Sequence, residues 1–166
     1  MSREELLRRA ERDQRVREPA AGTGRMTIWQ GLRGIWIDRR NTRWLARLVR
    51  RSGWPGIAAV GPEGAHAAWL LAQHADRKPH VQRMFLEAMA EAAERGDAER
   101  KDLAYLEDRV RVNAGRPQLY GTQYGMTETG FGPQPIEDSG SLDDRRAAVG
   151  LQPMAEYDAQ IRRLTP

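Results

Sequence analysis

The chain contains no cysteine, which excludes disulfides, thiol nucleophiles and thiolate metal sites and fits a reducing compartment. No apolar run approaches the ~18 residues of a membrane span, so no membrane partner is expected. The N-terminal MSREELLRRAERDQ is charged from its third residue and lacks an apolar h-region. It does not read as a secretory signal, and a cytoplasmic location is the expectation. Lysine is nearly missing: Lys78 and Lys101 are the only two among 27 basic residues. There is no GxGxxG before a helix, no Walker loop, no HExxH, no EF-hand loop and no GxSxG elbow, so the templates those motifs build are excluded.

What is present fits one domain over residues 1–166, with 40% hydrophobic and 30% charged content, ordinary for a globular chain with a real core. A net charge of +4 and a pI near 9.9 raise the question of nucleic acid. The arginines, however, alternate with acids, as in REELLRRAERDQRVRE and DLAYLEDRVR, a pattern of laced helix faces rather than one cationic stripe. RRNTRWLARLVRR, residues 39–51, is the densest basic stretch and reads as a solvated helix face, so nucleic acid is disfavoured as a partner.

Periodicity predicts a mainly α chain, a compact single-domain fold of six or seven helices with one small β-hairpin or ordered loop near 117–136. Ser2 and Glu5 form a capping box for a first helix to about Glu18, and PAAGTG breaks it. A second helical pattern covers about Thr27 to Arg51 and stops at SGWPG, where Gly53 suits a left-handed C-cap. IAAVGPEG reads as a connector before a third helix from about Glu63 to His74. Pro79 opens a fourth, ended by Gly96, and a fifth covers about Ala98 to Val112. Two extended runs around a Met-Thr-Glu-Thr tip follow. Ser141 and Asp144 cap a short helix through Val149, and Pro153 starts the last one.

The informative residues are polar side chains that fall in apolar stripes. Asp13 shares a face with Leu6 and Ala10, and Gln14 with Leu7 and Ala10. Asn41 sits between Ile37 and Leu45, His74 follows Leu70 and Leu71 by a turn, Gln82 precedes Phe85, and Asp108 lies between Ala104 and Val112. A buried polar group without a partner costs about 1–3 kcal/mol, so these groups must meet each other or a ligand. Each has a bland reading as well: a satisfied helix-end histidine, an Asp13–Arg17 intrahelical ion pair, surface charge at Asp108-Arg109. In YGTQ, residues 120–123, strand alternation would put Gln118, Tyr120 and Thr122 on one face. Amides pair with amides, peptides, carboxylic acids or base edges, although a hairpin merely docked through Tyr120 is an equal reading.

DQxxR (13–17), GWP (53–55), WLLxQHAD (69–76), the helical Gln82, YLxDRV (105–110), QLYGTQ (118–123) and RRxxVGLxPMxEY (145–157) together resemble an uncharacterised bacterial domain family that carries no assigned activity. The match runs from about Leu6 to Tyr157. It implies that the polar positions chosen by helical phase belong to the family's pattern; GTGRMTIWQGLRGIW has no counterpart in it.

The sequence-level expectation is a small helical enzyme doing general acid–base chemistry on an amide-bearing, amino-acid-like or peptide substrate, as in a biosynthetic step. Hydrolysis, cyclisation and elimination stay open. His74 would be the general base, with Asp76 or Asp108 orienting it. Asp13, Gln14, Arg17, Asn41, Gln73, Gln82, Arg109, Tyr120, Gln123 and Arg145 would bind substrate, with Arg109 and Arg145 holding negative charge bidentately. One central histidine makes a weak zinc case, so no metal and no cofactor is expected. The alternative is a non-enzymatic binding, immunity-type or regulatory module whose polar cluster is structural; a homodimer is left open.

Overall fold

A computed structural model describes residues 3–17, 28–128 and 130–164, with backbone alone for 28–30. Among these residues the chain is mainly α, with seven helices and one two-stranded antiparallel hairpin. No helix is long and apolar enough to cross a membrane. The contacts divide the chain into two units, Met1–Ala98 and Glu99–Pro166.

The first unit holds α1 (Arg3–Arg17), α2 (Ile28–Ser52), α3 (Ile57–Gln73) and α4 (Pro79–Glu94). Helix α1 runs beside α3 in the same direction, since Arg3 pairs with Glu63 and Asp13 reaches His74. It runs against α2, since Arg17 meets Asp38 and Arg9 meets Asn41. Small residues permit this closeness: Ala65, Ala68, Ala72 and Ala75 are buried along and just beyond α3, leaving Leu6, Leu45, Leu71, Phe85 and Met89 to fill the core at 2% exposure or less.

One boundary differs from the expectation. The segment expected to be a connector is the first turn of α3. Gly61, at φ 71° and ψ 168°, kinks it ahead of Pro62, and Asp97 receives the Ile57 and Ala58 amides at 2.9 and 2.7 Å. A Cβ on Gly56 would lie 2.0 Å from the Asp97 carboxylate, so glycine is required there. Helix α2 closes as expected, on Gly53 at φ 74° with its amide bonded to Val49 O. Ser2, PAAGTG and Thr27 lie outside the described residues.

The second unit holds α5 (Arg100–Asn113), β1 (Tyr124–Thr127), β2 (Gly130–Pro133), α6 (Leu142–Ala148) and α7 (Met154–Leu164). Tyr124 pairs with Pro133 and Thr127 with Gly130, so Met126 and Thr127 belong to the strand rather than to the tip. Ser141 makes no cap on α6; its hydroxyl goes to Asp138 instead. Tyr157 of α7 meets Tyr105 and Tyr124 edge-on, at 6.2 and 5.8 Å. Arg146 is fully buried, donates to the carbonyls of Tyr120 and Gln152, and lies 4.9 Å over the Tyr157 ring.

Candidate functional site

The first unit contains the group of side chains best suited to chemistry. Asp13 lies on the buried stripe of α1, two turns beyond Leu6, and its side chain is 1% exposed. Its Oδ2 is 2.6 Å from Nδ1 of His74, the residue that ends α3 as its C-cap. Arg17, one turn on in α1, donates Nε to Oδ2 at 3.2 Å and Nη2 to Oδ1 at 3.3 Å. The same Nη2 reaches Asp38 of α2 at 2.5 Å. Three helices thus bring two carboxylates, one guanidinium and one imidazole together.

The charges within this group divide the two acids. Burial pushes the Asp13 carboxyl up, but hydrogen bonds and charge from His74 and Arg17 outweigh it and hold the acid below its ordinary value. Asp38 is pushed above its ordinary value, by burial first and then by the adjacent Asp13, against the opposing charge of Arg17. One carboxylate is held ionised and its neighbour is eased toward protonation, as expected for two acids in contact. An ionised carboxylate only accepts hydrogen bonds, so the neutral form of His74 carries its proton on Nδ1 and leaves Nε2 as the acceptor. Among the described residues no hydrogen bond occupies Nε2, and the side chain is 16% exposed.

Asp13, Asp38 and His74 could also hold a metal ion, since one donor atom from each lies within 4.8 Å of the others. Arg17 already occupies oxygens of both carboxylates, so a cation would have to displace a guanidinium first.

The other residues predicted in this unit support the site from behind. Gln82 is fully buried and its amide nitrogen donates to Ala72 O, Gln73 O and Asp76 Oδ1 at 3.0–3.2 Å. It thereby closes the carbonyl end of α3 immediately beside His74. Asp76 Oδ1 and the backbone carbonyl of Gln73 are used in this closure, whereas the buried Gln73 Nε2 has no partner among the described residues; Asp13 rather than Asp76 or Asp108 bonds to His74 Nδ1. Gln14 is exposed, because it lies a further 100° around α1 from Asp13. Asn41 is 5% exposed and accepts from Arg9. Gln82→Met is expected to lower stability by about 1–3 kcal/mol, with faster hydrogen exchange at the Gln73, His74 and Ala75 amides. Unchanged exchange there would remove Gln82 from any part in placing the imidazole.

The predicted residues of the second unit organise a loop. Asp108 is fully buried and accepts the amides of Leu119, Tyr120 and Thr122 and the Thr122 hydroxyl, at 2.7–3.2 Å. Gln118, also fully buried, bonds Gln123 N, Gln123 O and Gln134 O. YGTQ is not an alternating strand, because Gly121 takes φ 70° and turns the chain. Arg109 bonds Gln123 Oε1 at 3.3 Å. Arg145 donates to the carbonyls of Leu119, Glu137 and Asp138, which leaves little of its fork for a ligand. Tyr120 is half-buried, and burial raises its phenol.

Sequence reasoning missed Asp38 and Arg146. Asp38 sits three residues before Asn41, and that spacing puts it on the inward face; the run DRRN disguised it as surface charge. Arg146 stands beside the predicted Arg145 and is the more buried of the pair.

The chain belongs to a family of unknown function, DUF6624, whose model matches residues 2–164. No curated protein and no solved structure matches it.

Proposed function

Starting from membership of a family to which no chemistry is assigned, we propose that this protein is a small helical enzyme in which His74 works as a general base. The observation that carries the reading is the 2.6 Å contact between a buried, ionised Asp13 and a partly open imidazole. Asp13 fixes the tautomer and stabilises the imidazolium that forms when Nε2 takes a proton. Arg17 holds Asp13 in place. Asp38 of α2, whose carboxyl burial pushes above its ordinary value, contacts Arg17 from the other side. The substrate class is an amide-bearing or amino-acid-like small molecule, on which Nε2 would remove a proton from an attacking water, an internal nucleophile or an acidic C–H.

A panel of N-acyl amino acids, amino-acid amides and dipeptides, followed by NMR, tests this. Turnover by the wild type, with a loss of about 10²–10⁴-fold in His74→Gln at unchanged unfolding temperature, is the expected result. Undiminished turnover in His74→Gln would end the reading.

One observation favours a structural role instead. The cluster ties α1, α2 and α3 together, and its central acid is almost wholly buried. A His74→Gln variant that unfolds, combined with no turnover of the panel by the wild type, would make the protein a binding or regulatory module with a polar core.

A further inference from the structure

A second feature of the first unit lies along the same pair of helices. Helices α1 and α2 border a hollow of about 330 Å³, lined by five arginines and two glutamates together with Trp36, Ile37 and Asn41. The volume is at the small end of those that accept organic ligands. The glutamates are already engaged: Glu5 with Arg8 and Arg9, Glu11 with Arg15. Arg12 and Arg40 have no carboxylate partner among the described residues. Arg40 instead lies 4.6 Å over the half-exposed Trp36 ring.

Asn41 gives this hollow its specificity. The side chain is 5% exposed, and its Oδ1 accepts from Arg9 Nη1 at 3.1 Å. That bond fixes the orientation of the amide, because an arginine can only donate. Arg9 is itself held by Glu5 at 2.6 Å and by stacking 4.5 Å over Trp44. The Asn41 Nδ2 group is therefore a buried donor, and it has no acceptor among the described residues. An orphaned buried donor costs about 1–3 kcal/mol and is explained when a ligand supplies the acceptor. The groups left over in the hollow are donors and cations, and an aromatic face edges it.

We propose that this hollow binds the oxyanion of a small organic molecule, a carboxylate or a phosphate monoester, with Asn41 Nδ2, Arg12 and Arg40 as its donors. Arginine and a carboxamide suit such an oxygen group because their N–H bonds converge on it. The hollow is also placed to serve the acid–base cluster. Arg9 is one helical turn before Asp13 on α1, and Ile37 and Asn41 flank Asp38 on α2. The anion would be the handle by which a substrate is held about one turn from His74, an assignment that rests on the proposed function, whereas the anion site itself does not.

The test uses the full-length chain and isothermal titration with benzoate, phenyl phosphate and inorganic phosphate, with neutral benzamide as control. Either benzoate or phenyl phosphate binds, and benzamide binds at least about tenfold more weakly. Asn41→Asp, which turns the orphaned donor into a repelling acceptor beside Arg9, weakens the anion at least about tenfold, as does the exposed pair Arg12→Gln/Arg40→Gln at unchanged unfolding temperature. His74→Gln binds the anion within about twofold of wild type. Preference for benzoate over phenyl phosphate assigns a carboxylate handle, and the reverse a phosphate. Equal binding of benzamide, undiminished binding by the arginine pair, or no anion binding at millimolar concentration would overturn the site. So would tighter binding of a single-stranded oligonucleotide with steep salt dependence, the mark of a polyanion surface. Anion binding without any effect of His74→Gln on turnover would leave the hollow standing and remove the acid–base reading; loss of turnover without anion binding would do the opposite.

Discussion

Asp108→Asn is expected to destabilise the second unit by about 3–5 kcal/mol, although the two side chains have nearly the same shape. The carboxylate accepts three backbone amides and one hydroxyl in a site with no solvent exposure. Asparagine keeps one oxygen and turns the other position into a donor facing donors. One amide, that of Leu119 or of Thr122 according to which oxygen is kept, would then be buried without an acceptor, and so would the new NH2 group, at about 1–3 kcal/mol each. Gly121 cannot relieve this by rearranging, because Met154 and Ile136 pack against the turn it makes; a Cβ there would meet Met154 Sδ at 2.8 Å. Urea unfolding measures the loss, and hydrogen exchange locates it: the three amides should exchange orders of magnitude faster while the Ala104–Leu106 amides slow down relative to them. A loss below about 1 kcal/mol would mean that the loop is held by Gln118 and Arg145 instead, and that Asp108 is free for another task.

That single carboxylate shows what could be read from the sequence and what could not. Helical phase placed Asp13, Asn41, Gln82 and Asp108 in apolar stripes, and all four are at most 5% exposed. A period of 3.6 residues decides which face a side chain is on, and burial follows from the face. It carries no information about the partner. Asp108 spends its oxygens on backbone amides and Gln82 its nitrogen on helix-end carbonyls, whereas Asp13 faces an imidazole. The three were indistinguishable in the string, because the difference depends on which element lies opposite. Asp38 was lost for a related reason: in DRRN two arginines follow it directly, and only the arrival of Arg17 from α1 makes it a half-buried partner. The extended reading of YGTQ failed on one residue. Gly121 at positive φ breaks the alternation that would have shown its amides to a ligand.

Asp13→Asn should produce the largest loss in the first unit, and a loss that depends on pH. At neutral pH the substitution removes the charge that Arg17 and His74 surround, and breaking such a buried pair costs about 3–5 kcal/mol. Asp13 has its folded pKa below the unfolded value, so its contribution to stability is complete above the unfolded value of about 3.9 and is lost as pH falls through the lower folded value. In acid the wild-type carboxyl becomes neutral too, so the gap between wild type and Asp13→Asn should narrow as pH falls below about 3.9 and close below the lower folded value. Asp38 has the opposite sign. Its folded pKa is raised, so the stability it confers is present while it is protonated and disappears as pH rises through that folded value. Asp38→Asn should therefore leave neutral-pH stability equal or higher, even though it deletes a bond to Arg17. Urea titrations of the three proteins at neutral pH and near pH 3 measure both effects. The ring ¹⁵N shifts of His74 supply the link to chemistry, since Asp13→Asn should reduce the Nδ1–H population and Asp38→Asn should preserve it. A gap between wild type and Asp13→Asn that is as wide in acid as at neutral pH would show that Asp13 is not held as an anion. His74 would then lack the fixed negative partner that makes its Nε2 a base.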